Sequence, residues 1–277
     1  KAAATDPKQV KENLFDRVLK SSPDNREALL ATGELALAKR DFKLAGQTFT
    51  RAIGHYPDDA DLLYGLAKAY AESDPSQMEE PLHTAMFTNP DHVPSLLLQA
   101  HNQADAEQYD TANGILKAIF KINPHHAASW ALQAALHTVR NEPDKAKSAR
   151  ASGLKYWKTN PLVDHEIGKK LSSKYLFAEG AAHQRQALEF SKDYLPAKTQ
   201  LAQDLLRLGQ EEEGWRLAEE AHNADGYDVT TYNLLTLHDS LKKYTTIDRN
   251  GFLLRMTRDE SALYGDEAID LLTEARE

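Results

Sequence analysis

Apolar residues recur along this chain at helical spacing, in pairs of segments that polar corners separate. Residues 26 to 57 show the clearest pair, with apolar and small residues at Leu29, Gly33, Ala45, Phe49 and Ala52. Apolar residues three and four positions apart form a stripe along one side of an α-helix. The pattern therefore predicts two amphipathic helices that pack on each other.

Four prolines mark where this pattern repeats. They stand 34, 33 and 34 residues apart, at Pro23, Pro57, Pro90 and Pro124. A fixed period of this length predicts an array of helix pairs in which each pair buries its apolar stripe on the next. We expect about six pairs, preceded by a lone second helix at residues 7 to 20.

Small residues occupy one position of every first helix, so that the partner helix can approach closely. These residues are Gly33, Ala67, Ala100 and Ala134. Together with the alanine, bulky residue and alanine of the second helix and the closing proline, they resemble the tetratricopeptide repeat. The resemblance covers roughly residues 10 to 160. It implies an all-α, right-handed solenoid, and Trp130 falls on a core position of the family.

The repeat is looser after residue 124. Pro161 follows Pro124 by 37 residues, and the run SSKYLFAEG at 172 to 180 has the look of an insertion before the next second helix. A later unit is still visible in a set of apolar and small residues at Leu201, Ala202, Leu205, Gly214, Ala218 and Ala221. We therefore extend the array to residue 242.

The last part of the chain changes its pattern. Residues 243 to 257 alternate between polar and apolar and contain Asn250-Gly251, a dipeptide suited to a tight turn with positive φ. Helical spacing returns in residues 261 to 277. We predict two domains, a solenoid at 1 to 242 and a β-hairpin plus helix at 243 to 277. The second is either a cap or the start of a further domain, because the chain stops within its helix.

A second resemblance covers only about 30 residues of this end. The stretch Gly251 to Arg255, followed by Tyr264-Gly265 and Leu271-Leu272, is similar to the opening strand and helix of gluzincin-type metallopeptidase domains found behind tetratricopeptide arrays in some bacterial proteins. No catalytic residue of that family falls within the stretch. The resemblance implies a zinc-binding His-Glu-x-x-His helix beyond Glu277.

Composition narrows the possible functions. The net charge of -9 argues against nucleic acid, which requires a concentrated basic face. The absence of cysteine removes disulfides and thiolate metal sites. The sequence has no run of about 20 apolar residues, so no membrane span is predicted. The compartment is left open, as either the bacterial cytoplasm or an exported location. The chain opens on Lys1, so we expect a segment to have preceded it.

Local charge is less uniform. Nine basic residues lie between Arg140 and Lys174, against four acidic ones. This run is either an anion-binding patch or a solvated helix face that balances acidic residues elsewhere, and we favour the second.

The chain shows no catalytic motif of its own. His165-Glu166 is the nearest approach to a zinc-binding HExxH helix, but the second ligand position holds Lys169. No Gly-rich phosphate loop follows a strand, so no cofactor or metal is predicted. The histidines at the corners, His92, His125 and His126, are expected to be structural or solvent-facing.

A solenoid of this type would bind a protein or peptide in the groove lined by its first helices. Spacing places these residues on the groove: Glu27, Leu30, Glu34, Asp61, Tyr64, Lys68, Leu97, His101, Ala131, His165 and Lys169. The lysines and asparagines with which family members clamp a chaperone's terminal carboxylate are absent, so that partnership is not expected. The groove is acidic at its start and apolar in its middle, which suits a basic and apolar peptide unless another part of the protein packs there.

Two functions of different class remain open. The first is a non-catalytic protein-binding or peptide-binding scaffold within a larger bacterial protein. The alternative is the substrate-recognition arm of a zinc metallopeptidase whose catalytic domain lies beyond residue 277. Pure scaffolding between domains is a weaker third possibility. An HExxH helix encoded downstream in the gene would favour the metallopeptidase arm over the other two functions.

Overall fold

A computed structural model describes residues 6 to 276, apart from the side chain of Asn13. Lys1 and Glu277, on which the expectations about the two chain ends depend, lie outside the described residues. A π-helical turn at Lys11–Phe15 joins the first two of the α-helices. The helices are α1 (Pro7–Val10), α2 (Asp16–Ser21), α3 (Arg26–Ala38), α4 (Phe42–His55), α5 (Ala60–Ser73), α6 (Glu79–Thr88), α7 (Val93–Asp105), α8 (Tyr109–Ile122), α9 (Ala127–Val139), α10 (Pro143–Gly153), α11 (Pro161–Ser173), α12 (Phe177–Phe190), α13 (Leu195–Arg207), α14 (Glu211–Ala224), α15 (Val229–Leu241) and α16 (Arg258–Arg276).

Helices α3 to α14 form six antiparallel pairs, each stacked on the next. The segment from α1 to α2 packs on α3 as a lone second helix, and α15 packs on α14 after the last pair. The predicted fold class, a mostly helical tetratricopeptide-like array followed by a β-hairpin and a helix, is confirmed. The domain boundary at residue 242 stays a prediction.

The first two pairs show why small residues recur in the first helices. Phe49 of α4 is completely buried. A Cβ atom added to Gly33 of α3 or to Gly65 of α5 would lie 2.4 Å from the Phe49 ring. The ring therefore fills the space between two first helices, and only glycine leaves room for it at both positions.

Five of the six bends inside the pairs share one backbone conformation. Five bends place a residue in the left-handed region, at φ values between 56° and 74°. These residues are Arg40, Glu107, Asn141, Tyr175 and Gly209. Such a residue ends the first helix and turns the chain towards the second. Only one of the five is glycine.

The corners between the pairs carry helix caps. Asn25 and Asp59 accept hydrogen bonds from backbone N–H groups at the starts of α3 and α5. His92 and His126 stand at the same place before α7 and α9, and each ring Nδ1 bonds the hydroxyl of a serine three residues later. His92 is buried and bonds both Ser95 and Asp61, so it has the structural role that was one of the two expected for these corner histidines.

The fourth and fifth pairs are joined differently from the others. Helix α10 has 11 residues, whereas α4 has 14, and a connection at 154 to 160 follows it. The extra length therefore lies before Pro161, which is the first residue of α11. The run at 172 to 180 is an ordinary bend and not the insertion we expected. Helix α9 packs directly on α11, through Ala131 and Ala135 against Val163 and Ile167.

Two long-range ion pairs bring distant units together. Lys39, after α3, has its Nζ atom 2.9 Å from Asp225 Oδ2, after α14. The same ammonium lies 5.9 Å from the centre of the Tyr227 ring. Lys170 of α11 bonds Asp105 at the end of α7, at 2.9 Å. The array thus curls until its first and sixth pairs touch.

The C-terminal elements form the predicted hairpin and helix. Strands β1 (Thr245–Arg249) and β2 (Phe252–Met256) pair in antiparallel register around Asn250 and Gly251, whose φ values are 55° and 76°. Two successive positive φ values match the tight turn predicted from the sequence. Helix α16 packs on one face of the hairpin. Arg255 joins the hairpin to the array through Glu211 of α14, at 2.7 Å.

Candidate functional site

The inner face of the array is lined by the first helices of the pairs. The structure leaves five of the predicted groove residues exposed: Glu27, Glu34, Asp61, Lys68 and Lys169. Four are half-buried: Leu30, Tyr64, Leu97 and His101. The remaining two, Ala131 and His165, are buried. Nine of the residues therefore keep some surface, and they come from α3, α5, α7 and α11.

Tyr64 lies at the centre of the first part of the groove. Its ring meets the His92 ring edge-on at 5.8 Å, and Lys68 Nζ lies 5.9 Å from its centre. Burial raises the pKa of the Tyr64 hydroxyl, and the charges of Glu34 and Glu166 raise it further. Because Glu34 belongs to α3 and Glu166 to α11, Tyr64 stands between the first pair and the fifth.

His101 occupies a more enclosed position on α7. Burial lowers its pKa to about 3, and the positive charges of Lys170 and Lys169 act in the same direction, against Asp105. The imidazole is therefore neutral at physiological pH. Lys170 is paired with Asp105, so the exposed Lys169 supplies the positive charge in this part of the groove.

Asp61 is the predicted groove residue with the most partners. Arg26 Nη2 donates to its Oδ2 atom at 2.7 Å, and His92 Nε2 bonds its Oδ1 atom at 3.1 Å. Arg26 also bonds Asp59 at 3.0 Å. Asp61 therefore helps to join three successive units, and its carboxylate is engaged before any ligand binds.

Ala131 and His165 are corrections to the predicted groove. Ala131 is fully buried in the core between α9 and α11. His165 bonds Gln184 through Nδ1 at 2.9 Å and meets the Tyr194 ring edge-on. Helix α11 sits on the alanine face of α9, so the apolar middle of the predicted groove is covered by the protein itself. That was the alternative left open by the sequence.

The sequence analysis missed Glu166 and Tyr194 as parts of the inner face. The charge of Glu166 acts on both Tyr64 and Tyr194, after burial, to raise their pKa values. The sequence carries only a weak signal for this role, because Glu166 stands out there only as part of the incomplete HExxH motif that begins at His165. Its place follows from the altered packing of α11, which one-dimensional spacing does not encode.

Most of the basic run from Arg140 to Lys174 is engaged in ion pairs. Five of its nine basic residues form such pairs: Arg140 with Asp110, Lys145 with Glu142, Arg150 with Asp164, Lys170 with Asp105, and Lys174 with Glu107. This pairing agrees with a charge-balanced helix surface for those residues.

Residues 6 to 276 contain no group of three or more His, Asp or Glu side chains placed to hold a metal ion. None of the helices described is long and apolar enough to cross a lipid bilayer.

Several solved structures are similar to this array. A tetratricopeptide repeat protein from Parabacteroides merdae matches with a TM-score of 0.57 and 16% identity, over 84% of this chain and 92% of its own. Yeast Tom70 matches with a TM-score of 0.57 and 16% identity, over 83% of this chain and 51% of its own. The APC/C hetero-tetramer Cut9-Hcn1 gives 0.55 and 14%, over 83% and 46%.

This chain spans about half the length of the Tom70 and Cut9-Hcn1 chains that it matches. No protein-family model and no curated protein sequence matches it. Structural similarity at such low identity identifies the fold alone. The chain is thus a tetratricopeptide-like helix array whose inner face presents Tyr64 between acidic and basic side chains.

Proposed function

We propose that this chain is a non-catalytic scaffold, part of a larger bacterial protein, that binds an extended segment of a partner protein in its inner groove. The observation that carries the proposal is the placement of Tyr64. Its half-buried ring shares the inner face with Leu30 and Leu97, which hold the equivalent positions of the neighbouring units. Half-buried apolar side chains in a concave surface are typical anchors for a partner.

Charge suggests the chemistry of the bound segment. Glu27 and Glu34 of α3 are exposed at one end of this surface, and Lys68 and Lys169 are exposed further along it. A segment with a basic residue near α3, an apolar or aromatic residue at Tyr64 and an acidic residue near Lys169 would complement all three regions. The apolar middle expected from the sequence contributes nothing, because α11 covers it.

The experiment is a selection from a phage-displayed library of linear peptides on the immobilised protein. The affinity of a selected peptide is then compared between the natural protein and Tyr64→Ala. We expect the substitution to weaken binding at least about tenfold, which corresponds to about 1.4 kcal/mol. Unfolding in urea should change little, because the ring is only half-buried.

Phe87→Ala is the matched control. Phe87 is an aromatic residue of α6 that is 81% exposed and lies on a second helix, away from the inner face. Its removal should leave the affinity unchanged. A peptide that binds equally well to Tyr64→Ala and to the natural protein contradicts the proposal. So does a Tyr64→Ala protein that binds normally but unfolds far more easily.

A second candidate is the substrate-recognition arm of a zinc metallopeptidase. The observation that favours it is that some apolar side chains of the C-terminal hairpin and helix are buried, whereas others are exposed. Ile269 of α16 is fully buried against the hairpin, but Leu253, Leu263 and Leu271 are 51%, 73% and 66% exposed. Large exposed apolar side chains on two small elements suggest that further protein covers them.

The test of this candidate is the reading frame beyond Glu277. An HExxH helix within the following hundred or so residues would support it, and zinc analysis of the full-length protein would then show bound metal. A stop codon or a further helix pair would remove it and leave the scaffold proposal unaffected.

A further inference from the structure

The largest departure from regular packing leaves a pocket between the fourth and fifth units. Helix α10 makes little contact with α11, because α11 has moved onto α9. The resulting cavity has a volume of about 350 Å³. That volume is within the range of cavities that hold small organic ligands. The pocket lies between second helices and is separate from the inner groove.

The floor of this pocket is apolar. Ala134 of α9, Ala146 of α10 and Ile167 of α11 line it, and Pro143 closes one side. In a regular array these surfaces would be covered by contact between a second helix and the next first helix. Here Ala146 keeps part of its surface open to the cavity, and Ala134 and Ile167 lie almost completely buried behind it. An apolar group placed on Ala146 would be favoured over water.

The rim of the pocket carries a network built on a buried carboxylate. Asp164 of α11 has no exposed surface. Arg150 of α10 donates to both of its oxygens, at 2.8 and 2.7 Å, and His183 Nδ1 lies 2.7 Å from Oδ1. Burial opposes ionisation of Asp164, but the hydrogen bonds from His183 and Arg150 outweigh it and lower the pKa of the carboxyl group.

This network leaves hydrogen-bond donors of Arg150 and Lys147 at the rim. The Asp164 carboxylate accepts hydrogen bonds from Nε and Nη2 of Arg150 and from Nδ1 of His183. Within the described residues, Arg150 Nη1 makes no hydrogen bond, and Lys147 on the same rim forms no ion pair. Glu142 is the acidic residue at the rim, and His137 and Lys145 bond it. An incoming anion thus meets available donors.

We propose that this pocket binds a small carboxylic acid with an apolar body. The carboxylate would accept hydrogen bonds from Lys147 and from Nη1 of Arg150, and the alkyl part would lie on Ala146 and Pro143. Asp164 makes no contact with the ligand and acts as a positioning residue. An apolar acid is favoured over an alcohol or an amine because only the acid satisfies both the floor and the rim.

The test is a ligand-observed NMR titration of the full chain with hexanoate, 1-hexanol and hexylamine. We expect hexanoate to bind at least several-fold more tightly than either of the others. Lys147→Gln should weaken hexanoate binding several-fold, because it removes a charged donor from the rim. Ala146→Leu, which fills the cavity from α10, should abolish binding.

Lys145→Gln is the matched control, because Lys145 lies on the same helix but bonds Glu142 and does not line the pocket. It should bind hexanoate normally. Equal affinity for hexanol and hexanoate would overturn the proposal, because the pocket would then accept an apolar side chain of a partner protein. Unchanged hexanoate binding by Ala146→Leu, or no binding to the natural protein, would overturn it as well. Circular dichroism melting curves identify any variant that fails to fold.

Discussion

Lys39 and Asp225 are 186 residues apart in the chain, yet their side chains form an ion pair at 2.9 Å. Both are mostly shielded from solvent, with 24% and 16% of their side chains exposed. One partner ends the first helix of the first pair and the other follows the last pair. This contact joins the two ends of the array. A partly exposed pair of this kind contributes only about 1 kcal/mol, so the closed turn is held weakly.

Lys39→Ala should therefore open the array. We expect a larger radius of gyration in small-angle X-ray scattering, because the first and sixth pairs lose their contact. Raising the salt concentration should move the natural protein in the same direction, since salt screens the pair. Lys242→Ala is the control, because Lys242 pairs with Asp239 within one exposed turn. An unchanged radius for Lys39→Ala would contradict the closing role of this pair.

The packing of Phe49 predicts opposite effects for two glycine substitutions. Gly65→Ala would place Cβ 2.4 Å from the buried Phe49 ring, so we expect a loss of about 1 to 3 kcal/mol in the free energy of unfolding. Gly114→Ala, on an exposed part of α8 with nothing within 4 Å of the new Cβ, should gain up to about 1 kcal/mol. Urea titration measures both. A neutral Gly65→Ala would show that the ring has room to move.

The low pKa of His101 predicts acid sensitivity. The folded pKa is about 3 against an ordinary value of 6.5. Between these values the unfolded chain binds a proton that the folded chain does not, so stability falls as pH falls. We expect His101 to account for a loss of about 2 kcal/mol between about pH 7 and about pH 5.

Urea unfolding of His101→Gln at the same two pH values isolates this effect. The variant should lose less stability on acidification than the natural protein. Burial also lowers the pKa values of His126 and His165, so part of the pH dependence will remain in the variant. An identical pH dependence in both proteins would show that His101 titrates normally.

Two buried aspartates predict opposite responses to amidation. Asp204 has no exposed surface, and its pKa is raised by burial despite bonds from Ser172 and Gln200. Asp204→Asn should stabilise the protein by about 1 kcal/mol at neutral pH, because asparagine can keep both bonds without a buried charge. The gain should grow as pH rises above the ordinary Asp value of 3.8.

Asp164→Asn is the counterpart in an equally buried setting. The pKa of Asp164 is lowered, and its charge is bonded by Arg150 and His183. Its amidation should cost about 2 kcal/mol, since hydrogen bonds to a charged group are lost. Thermal and urea unfolding of both variants give the comparison. Destabilisation by Asp204→Asn would mean that the Asp204 charge itself is needed.

The regular part of the fold could be predicted from the sequence because it depends on local spacing. Gly33 and Phe49 fall at repeat positions, and their contact in the structure follows from that spacing. Asn250-Gly251 predicted the hairpin because positive φ at two successive residues suits very few side chains. Each of these predictions involves residues within one or two units.

The remaining features depend on how units are oriented, which spacing does not record. Ala131 fits a groove position as well as a core position, and only the movement of α11 onto α9 decides between them. Asp164 and His183 lie in different helices, so their pairing with Arg150 has no sequence motif. The contact of Lys39 with Asp225 results from the accumulated rotation of six pairs, which no single repeat specifies.

The bends between paired helices have a consequence for engineering. Arg40, Glu107, Asn141 and Tyr175 carry a Cβ atom in a backbone conformation that costs about 1 kcal/mol or more for most residues. The bend at Gly209 avoids this cost. Because stability in a stacked array is nearly a sum over units and their interfaces, strain in each bend lowers the stability of its own unit. Relieving this strain at the bends should therefore raise the thermal stability of the protein. These surface positions touch neither the groove nor the core.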